Sequence, residues 1–332
     1  MNHINSGKKR YEQVKILVTG SKGVIGSWLT KLLLKKKYDV YGFDLIHDPR
    51  EAGWEQQMNV TPANYSRCDV SEFRQVERYF IKYGPFDFVY HTAAEFGRWN
   101  GEDYYEQLWK TNVIGTKHII RLQEQLGFKL IHFSSSEVYG DYSGLMTEDI
   151  MDKTEIKQLN DYAMTKWVNE MQISNSRKLH KTKTVIVRLF NTYGPGEWYH
   201  AYRSANSKFC YSALNNLPII VYRGHKRTSI YIQDACLALT HIVPNFKDGE
   251  IYNIGGNKEH TMEELVELIW SQTKANPKLI TYKNSEPMTS MSKKVDVFKA
   301  TKDLNLKVTV SLNEGIKKTL SWMKDYYDIK KK

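Results

Sequence analysis

Tyr162 and Lys166 stand four positions apart inside a stretch with helical spacing, residues 158–179. On a helix the two side chains share a face. A lysine ammonium beside a phenol favours the phenolate, lowers its pKa and gives a base usable near neutral pH. Upstream, Ser134-Ser135-Ser136-Glu137 closes an apolar run at 129–135. A hydroxyl there can hydrogen-bond a reacting oxygen, and a carboxylate can take a proton from carbon. By themselves these patterns have plainer explanations. A Tyr–Lys pair is common on helix surfaces, and a serine cluster at a strand end can cap backbone groups.

The start of the chain favours the chemical explanation. VKILVTG (14–20) runs directly into Gly20-Ser21-Lys22-Gly23-Val24-Ile25-Gly26, and residues 24–37 continue with helical periodicity. Glycines in this pattern allow a tight turn, let the backbone approach a pyrophosphate and pack the helix against the strand. The helix start, with Val24 and Ile25, then offers free N–H groups to the phosphates. Asp44 ends the second strand, 18 residues beyond Gly26. A carboxylate there accepts ribose hydroxyls and repels the 2′-phosphate of NADP, so NAD is the expected cofactor. Arg50, close by in sequence, is the one charge that favours NADP. Asp69, ending the third strand, is placed for the adenine edge or as a strand-end cap.

Further strands are expected at 39–44, 65–69, 86–93, 129–135 and 184–190, with helices near 71–83, 102–126 and 158–179. Short, almost wholly apolar strands alternating with helices predict an α/β fold, a doubly wound parallel sheet covered on both faces. After residue 190 the pattern breaks into short strands (219–222, 229–234, 250–256) and helices near 261–274 and 311–327. The expected layout is a tail at 1–13, a nucleotide-binding domain at 14–190 and a smaller substrate-binding lobe at 191–332. Segments about 229–256 are expected to return to the main domain.

The 332 residues are 41% hydrophobic and 26% charged, an ordinary globular composition. No run of 18 apolar residues suggests a membrane span, and residues 1–13 lack the apolar core of a secretory signal. Cys68, Cys210 and Cys236 are odd in number and lack metal-ligand spacing, which predicts no metal and a reducing, cytoplasmic setting. The net charge is +11. Lysines gather at a helix end (Lys35, Lys36, Lys37) and at the tail (Lys330, Lys331, Lys332), with no basic stripe interleaved with aromatics. Neither nucleic acid nor a membrane is therefore an expected partner; part of the charge suits a diphosphate.

Six motifs in order resemble the extended short-chain dehydrogenases. They are the glycine loop, His91-Thr92-Ala93-Ala94, Asn112-Val113-Ile114-Gly115-Thr116, Ser134-Ser135-Ser136-Glu137-Val138-Tyr139-Gly140, Tyr162-Ala163-Met164-Thr165-Lys166, and Arg188-Leu189-Phe190-Asn191-Thr192-Tyr193-Gly194-Pro195. Residues 311–322 resemble the family's closing helix. The resemblance implies a Rossmann fold and an NAD-dependent enzyme acting on a nucleotide-diphosphate sugar. Ser135, Tyr162 and Lys166 would be catalytic, with Lys166 also on the nicotinamide ribose. Val70, Ala93, Ala94 and Asn112 would join the cofactor site. Asn191 would contact the sugar nucleotide and Arg227 its diphosphate, with Glu95 and Arg98 near the sugar. Asp234 is expected to cap the following helix. A homodimer is implied through the helices at 102–126 and 158–179, with Trp109, Trp167 and Met171 compatible. Trp198, Tyr199 and Tyr202 are placed to stack on the base.

Glu137 matches the glutamate that dehydratases and decarboxylases of this type use. Ser136 stands where dehydratases acting on thymidine-linked hexoses carry an acidic Asp, and Lys293 falls near an arginine of decarboxylases. The expected reaction is 4,6-dehydration of a nucleotide hexose; the alternatives, in order, are 4-epimerisation of a nucleotide sugar and decarboxylation of a nucleotide uronate. A non-catalytic NAD-sensing protein could dispense with Tyr162 or Lys166, and both are present.

Overall fold

Lys15–Thr19 (β1) buries every residue but its first, a pattern suited only to a central strand covered on both sides. The computed structural model describes residues 13–46 and 64–329. The expected N-terminal tail apart from Gln13, Arg50 and the terminal lysines lie outside these. Beside β1 stand Asp39–Asp44 (β2), Asn64–Arg67 (β3), Phe88–His91 (β4), Lys129–Ser135 (β5), Thr184–Leu189 (β6) and Ile251–Ile254 (β7). All pair in parallel, in the order β7-β6-β5-β4-β1-β2-β3. The chain steps outward from β1 to β3 and then returns to β4 on β1's other side. That reversal opens a crevice at the carboxyl ends of the strands, where ligands of such sheets bind.

One face is covered by Val24–Lys35 (α1), by Ile232–Thr240 and by Phe298–Leu304, through Trp28, Leu29, Leu33, Ala235, Leu239, Ala300 and Leu304. The other is covered by Phe73–Tyr83 (α2), Gly115–Leu126 (α3) and Asp161–His180 (α4), through Val76, Phe80, Ile119, Ile120 and Ile173. Burying an aliphatic side chain of this size stabilises by about 1.5–3 kcal/mol. Asn160 caps α4 by accepting from the Ala163 amide at 2.8 Å, which starts the helix at 161.

The single helix expected at 102–126 is broken into Arg98–Asp103, Tyr105–Trp109, a π-turn at Lys110–Ile114 and α3. In the π-turn, Asn112 points inward. Its amide accepts from the Glu95 N–H at 2.8 Å and donates to the Glu95 carbonyl at 3.1 Å. Such turns recur where a helix must re-aim a side chain.

The lobe packs Ala205–Asn215 (α5), Met262–Thr273 (α7) and Leu312–Tyr326 (α8) around Tyr193, Phe209, Trp270, Ile316 and Trp322. The remaining helix, Ile232–Thr240, is α6. A strand was expected at 229–234, but only Ile230–Tyr231 is extended, and α6 begins at once. Asp234 lies inside its first turn and is not its cap. The carboxylate accepts from the Thr309 and Val310 amides at 2.8 and 2.9 Å and from the Thr309 hydroxyl at 2.6 Å. The three cysteines are free and buried. Among the described residues no helix is long and apolar enough to cross a membrane.

Beneath the carboxyl edge lies a buried ionic network. Arg188 on β6 donates to both oxygens of Glu170 on α4 at 3.0 and 2.6 Å. Glu170 also accepts from Ser134 at 2.5 Å, and Arg188 donates to the Tyr139 hydroxyl at 2.9 Å, which donates to Asn253 at 2.7 Å. Both charged side chains are almost wholly buried. Arg188→Met would strand the Glu170 carboxylate and should lower unfolding stability by about 3–5 kcal/mol, read from the denaturant midpoint. A loss under about 1 kcal/mol would mean that the pair is not what secures these elements.

Candidate active site

A cavity of about 610 Å³ follows the crevice from the glycine loop to Arg227 of the lobe. At one end Gly20 has φ +65°, and a Cβ there would lie 2.7 Å from Ala93 Cα. A Cβ at Gly26 would lie 2.1 Å from the Gly20 carbonyl oxygen. Only glycine fits either place, and backbone forms the floor. No side chain caps α1 and its first turn holds no acidic residue, so its leading amides face the cavity as an anion site. Asp44 accepts from the Lys22 amide at 2.9 Å and the Leu45 amide at 2.7 Å. Burial pushes its pKa up, against those amides.

Val24, Ile25, Gly23, Asp69, Val70, Ala93 and Ala94 complete this wall. Asp69 also accepts from the Ser71 amide at 2.9 Å and its hydroxyl at 2.7 Å, so it caps the turn into α2. Asn112 does not line the cavity. Its amide is spent on Glu95 and on the Thr165 hydroxyl at 3.1 Å, which holds the wall from behind. The backbone cradle, free amides and strand-end carboxylate fit a dinucleotide.

Ser135, Ser136, Glu137, Tyr162 and Lys166 meet on the next stretch of wall. β5 delivers the serines, a 3₁₀ turn at Ser136–Tyr139 turns Glu137 inward, and α4 presents Tyr162 and Lys166. The Ser135 hydroxyl accepts from the Glu137 amide at 3.2 Å and bonds the Tyr162 hydroxyl. Lys166 donates to the Phe133 carbonyl at 2.8 Å and lies 5.8 Å from the Tyr162 ring centroid.

The expected lowering of the tyrosine pKa is not found. Burial pushes Tyr162 up to about 12; the Ser135 bond opposes this and the Glu137 charge adds to it. Burial likewise draws Lys166 down to about 8, against the pull of Glu170. Spacing placed the two on one face, but desolvation is the largest cause of both shifts.

Glu137 is bonded to the ammonium of Lys293, whose side chain is 2% exposed. Burial raises the Glu137 pKa, but Lys293, then Arg98 and Arg227, bring it to about 2.

Glu95, Arg98, Asn191 and Arg227 line the far end. Arg227 donates to the Lys226 and Met291 carbonyls at 2.8 and 3.1 Å and to Thr289 at 3.1 Å. These hydrogen-bond partners are neutral, while the charges of Glu137 and then Glu286 act on the guanidinium from nearby. Arg98 instead pairs with Glu286 at 2.8 Å. Trp198 and Tyr202 line the cavity, whereas Tyr199 does not and stacks on Tyr211 at 4.0 Å. Sequence reading missed Glu197, Arg203, Lys208 and Glu286. Lys208 rides on α5, whose Ser- and Asn-rich run hid a helix capped by Ser204. Burial raises Glu197 to about 7, against the Arg203 charge.

A family model described as the NAD dependent epimerase/dehydratase family matches residues 16–255. The chain belongs to this family. It is 26% identical to dTDP-glucose 4,6-dehydratase of Salmonella typhimurium, over 93% of this chain and 92% of that one. It is 30% identical to a putative UDP-glucose 4-epimerase of Methanocaldococcus jannaschii, over 93% and 98%. A mutant UDP-glucuronic acid 4-epimerase from Bacillus cereus, solved with NAD and a fluorinated UDP-sugar, superposes with a TM-score of 0.81 at 25% identity, over 95% and 100%. The protein is thus an NAD-dependent enzyme of a nucleotide-sugar family, built on a Rossmann sheet.

Asp44→Ala should weaken NAD binding about tenfold or more while leaving NADP binding equal or better, as measured by calorimetry with each cofactor. An unchanged ratio of affinities would assign the ribose to another residue.

Proposed function

We propose that this enzyme is a nucleotide-sugar 4,6-dehydratase, acting through transient oxidation at carbon 4 of the sugar. What supports the reading is Glu137, an ionised carboxylate on the cavity wall beside Ser135 and Tyr162. Burying a carboxylate with a compensating cation rarely stabilises a fold over apolar packing, and simple epimerisation has no use for a base here.

Gly20, Gly23, Gly26, Asp44, Asp69, Val70, Ala93 and Ala94 would hold NAD, with Lys166 on its nicotinamide ribose. NAD, when bound, supplies a hydride acceptor and a cationic ring that favours a neighbouring phenolate. Tyr162 takes the proton of the 4-hydroxyl while Ser135 holds that oxygen by a hydrogen bond. Once carbon 4 is a carbonyl, the carbon 5 proton is acidic, and Glu137 takes it. The 6-hydroxyl then departs as water, carrying a proton that Glu137 can return to it; the resulting 5,6-alkene would take the hydride back at carbon 6 and a solvent proton at carbon 5, leaving no net redox change. Arg227 holds the diphosphate and Asn191 the sugar nucleotide. Lys293 lies behind Glu137 and does not line the cavity, which weighs against a substrate carboxylate and decarboxylation.

A 4-epimerase is the second reading. Ser136 favours it, because a serine hydroxyl is too weak an acid to assist departure of the 6-hydroxyl. We also assign the exposed Tyr104, Tyr105, Ile114, Met164 and Met171 to a face where two copies pair.

The deciding assay incubates the protein, without added cofactor, with TDP-glucose, UDP-glucose, UDP-N-acetylglucosamine and GDP-mannose, reading products by mass spectrometry and proton NMR. Loss of one water is the expected result; an isomer of unchanged mass replaces the reading with epimerisation. Tyr162→Phe should cut turnover by about 10²–10⁴-fold with NAD content unchanged. Glu137→Gln should abolish both water loss and entry of solvent deuterium at carbon 5. Normal turnover of that variant would remove Glu137 from the chemistry.

A further inference from the structure

Lys293 is one of the most deeply buried cations of the described residues, yet it sits behind the cavity wall and not on it. Its ammonium meets the Glu137 carboxylate across 156 positions of sequence. Both partners are fixed from behind. The Lys293 amide donates to the Lys226 carbonyl at 3.2 Å, and Lys294 pairs with Leu145 in a short parallel strand pair. Glu137 follows the turn that its own amide closes onto Ser135.

Three further groups act on this carboxylate. Arg98 comes from the 98–103 helix, Arg227 from the 226–228 strand and Tyr162 from α4. Arg98 is engaged with Glu286, and Arg227 with Thr289 and two carbonyls. Of the three cations, Lys293 is the one bonded to Glu137. A methionine could fill the same volume without the cost of burying a charge, so the ammonium is explained by what it does to its partner.

We propose that Lys293 is a positioning residue for the reaction: its buried ammonium keeps Glu137 a carboxylate aimed into the cavity and offsets the negative charge that opposes a Tyr162 phenolate. The inference rests on the reading of Glu137 as the carbon 5 base. Burial by itself would hold a proton on Glu137, and a protonated carboxyl cannot accept another from carbon. The sign follows. Activity requires the carboxylate, so it is present above the Glu137 pKa and lost as pH falls through it. With that pKa near 2, the loss lies below the working range in the native enzyme. Without the ammonium it moves up into that range.

The test is a titration of the holoenzyme labelled with carbon-13 at glutamate side-chain carboxyls, the Glu137 signal being identified by its loss in Glu137→Gln. In the native enzyme this signal should stay ionised down through pH 4.5, the ordinary glutamate midpoint. In Lys293→Met the midpoint should rise by about two units or more, and Lys293→Arg should keep it low. A native midpoint at or above 4.5, or an unmoved midpoint in Lys293→Met, overturns the proposal. Should the methionine variant not fold, the native titration decides by the same criterion. Turnover of TDP-glucose against pH is the second readout. Lys293→Met should bring an acid limb of kcat into range with KM changed under about threefold, and arginine should restore the native profile. A uniform loss at every pH would make Lys293 merely structural and overturn the proposal. If no sugar nucleotide loses water, the dehydratase reading fails, while the titration still decides whether Lys293 sets the charge of Glu137.

Discussion

The ion pair between Arg188 and Glu170 is the constraint on which the rest of this structure depends. Neither charge can stay in the interior without the other, and each sits on a different element. Arg188 belongs to β6 and Glu170 to α4, while Ser134 ties β5 to the same carboxylate. The network continues through Tyr139 to Asn253 on β7. The strand that delivers the serines, the turn that delivers Glu137 and the helix that delivers Tyr162 and Lys166 therefore share one anchor.

Along the cavity the character of the wall changes. The glycine-loop end is made of backbone, with glycines 20 and 26 leaving no room for a Cβ and α1 offering its amides. The far end is made of charged side chains with counter-charges close by: Glu137 backed by the buried Lys293, Arg98 with Glu286, and Arg203 near Glu197. Backbone suits a ligand that never changes. Side chains can be exchanged singly, so this end of the cavity can change its charge and shape without disturbing the backbone cradle at the other.

Much of this was legible from local pattern. Apolar strands, the glycine loop and the four-residue spacing of Tyr162 and Lys166 each carry their meaning within a few positions. What sequence could not reveal depends on partners far along the chain. Lys293 is remote from Glu137, and Glu286 meets Arg98 across 188 positions. The π-turn escaped because Asn112 answers to the backbone of Glu95, not to helical periodicity. Tyr162 shows a different limit. Spacing fixes which side chains face one another, but not how little solvent is left around them, and here the missing solvent sets the sign of the pKa shift. Asp234 belongs with these, since its partners at 309 and 310 lie beyond any local window.

The lobe is not threaded onto the sheet by a single connection. After Asn191 the chain enters it, goes back through α6 and β7 to complete the sheet, leaves again, returns with Phe298–Leu304 and departs once more into α8. Asp234 fastens the last of these passages. A jaw that swings freely needs one or two crossings to bend, and a seam sewn this many times has no such axis. Such a seam favours admission of a ligand through side chains and short loops at the rim over a hinged opening of the two halves.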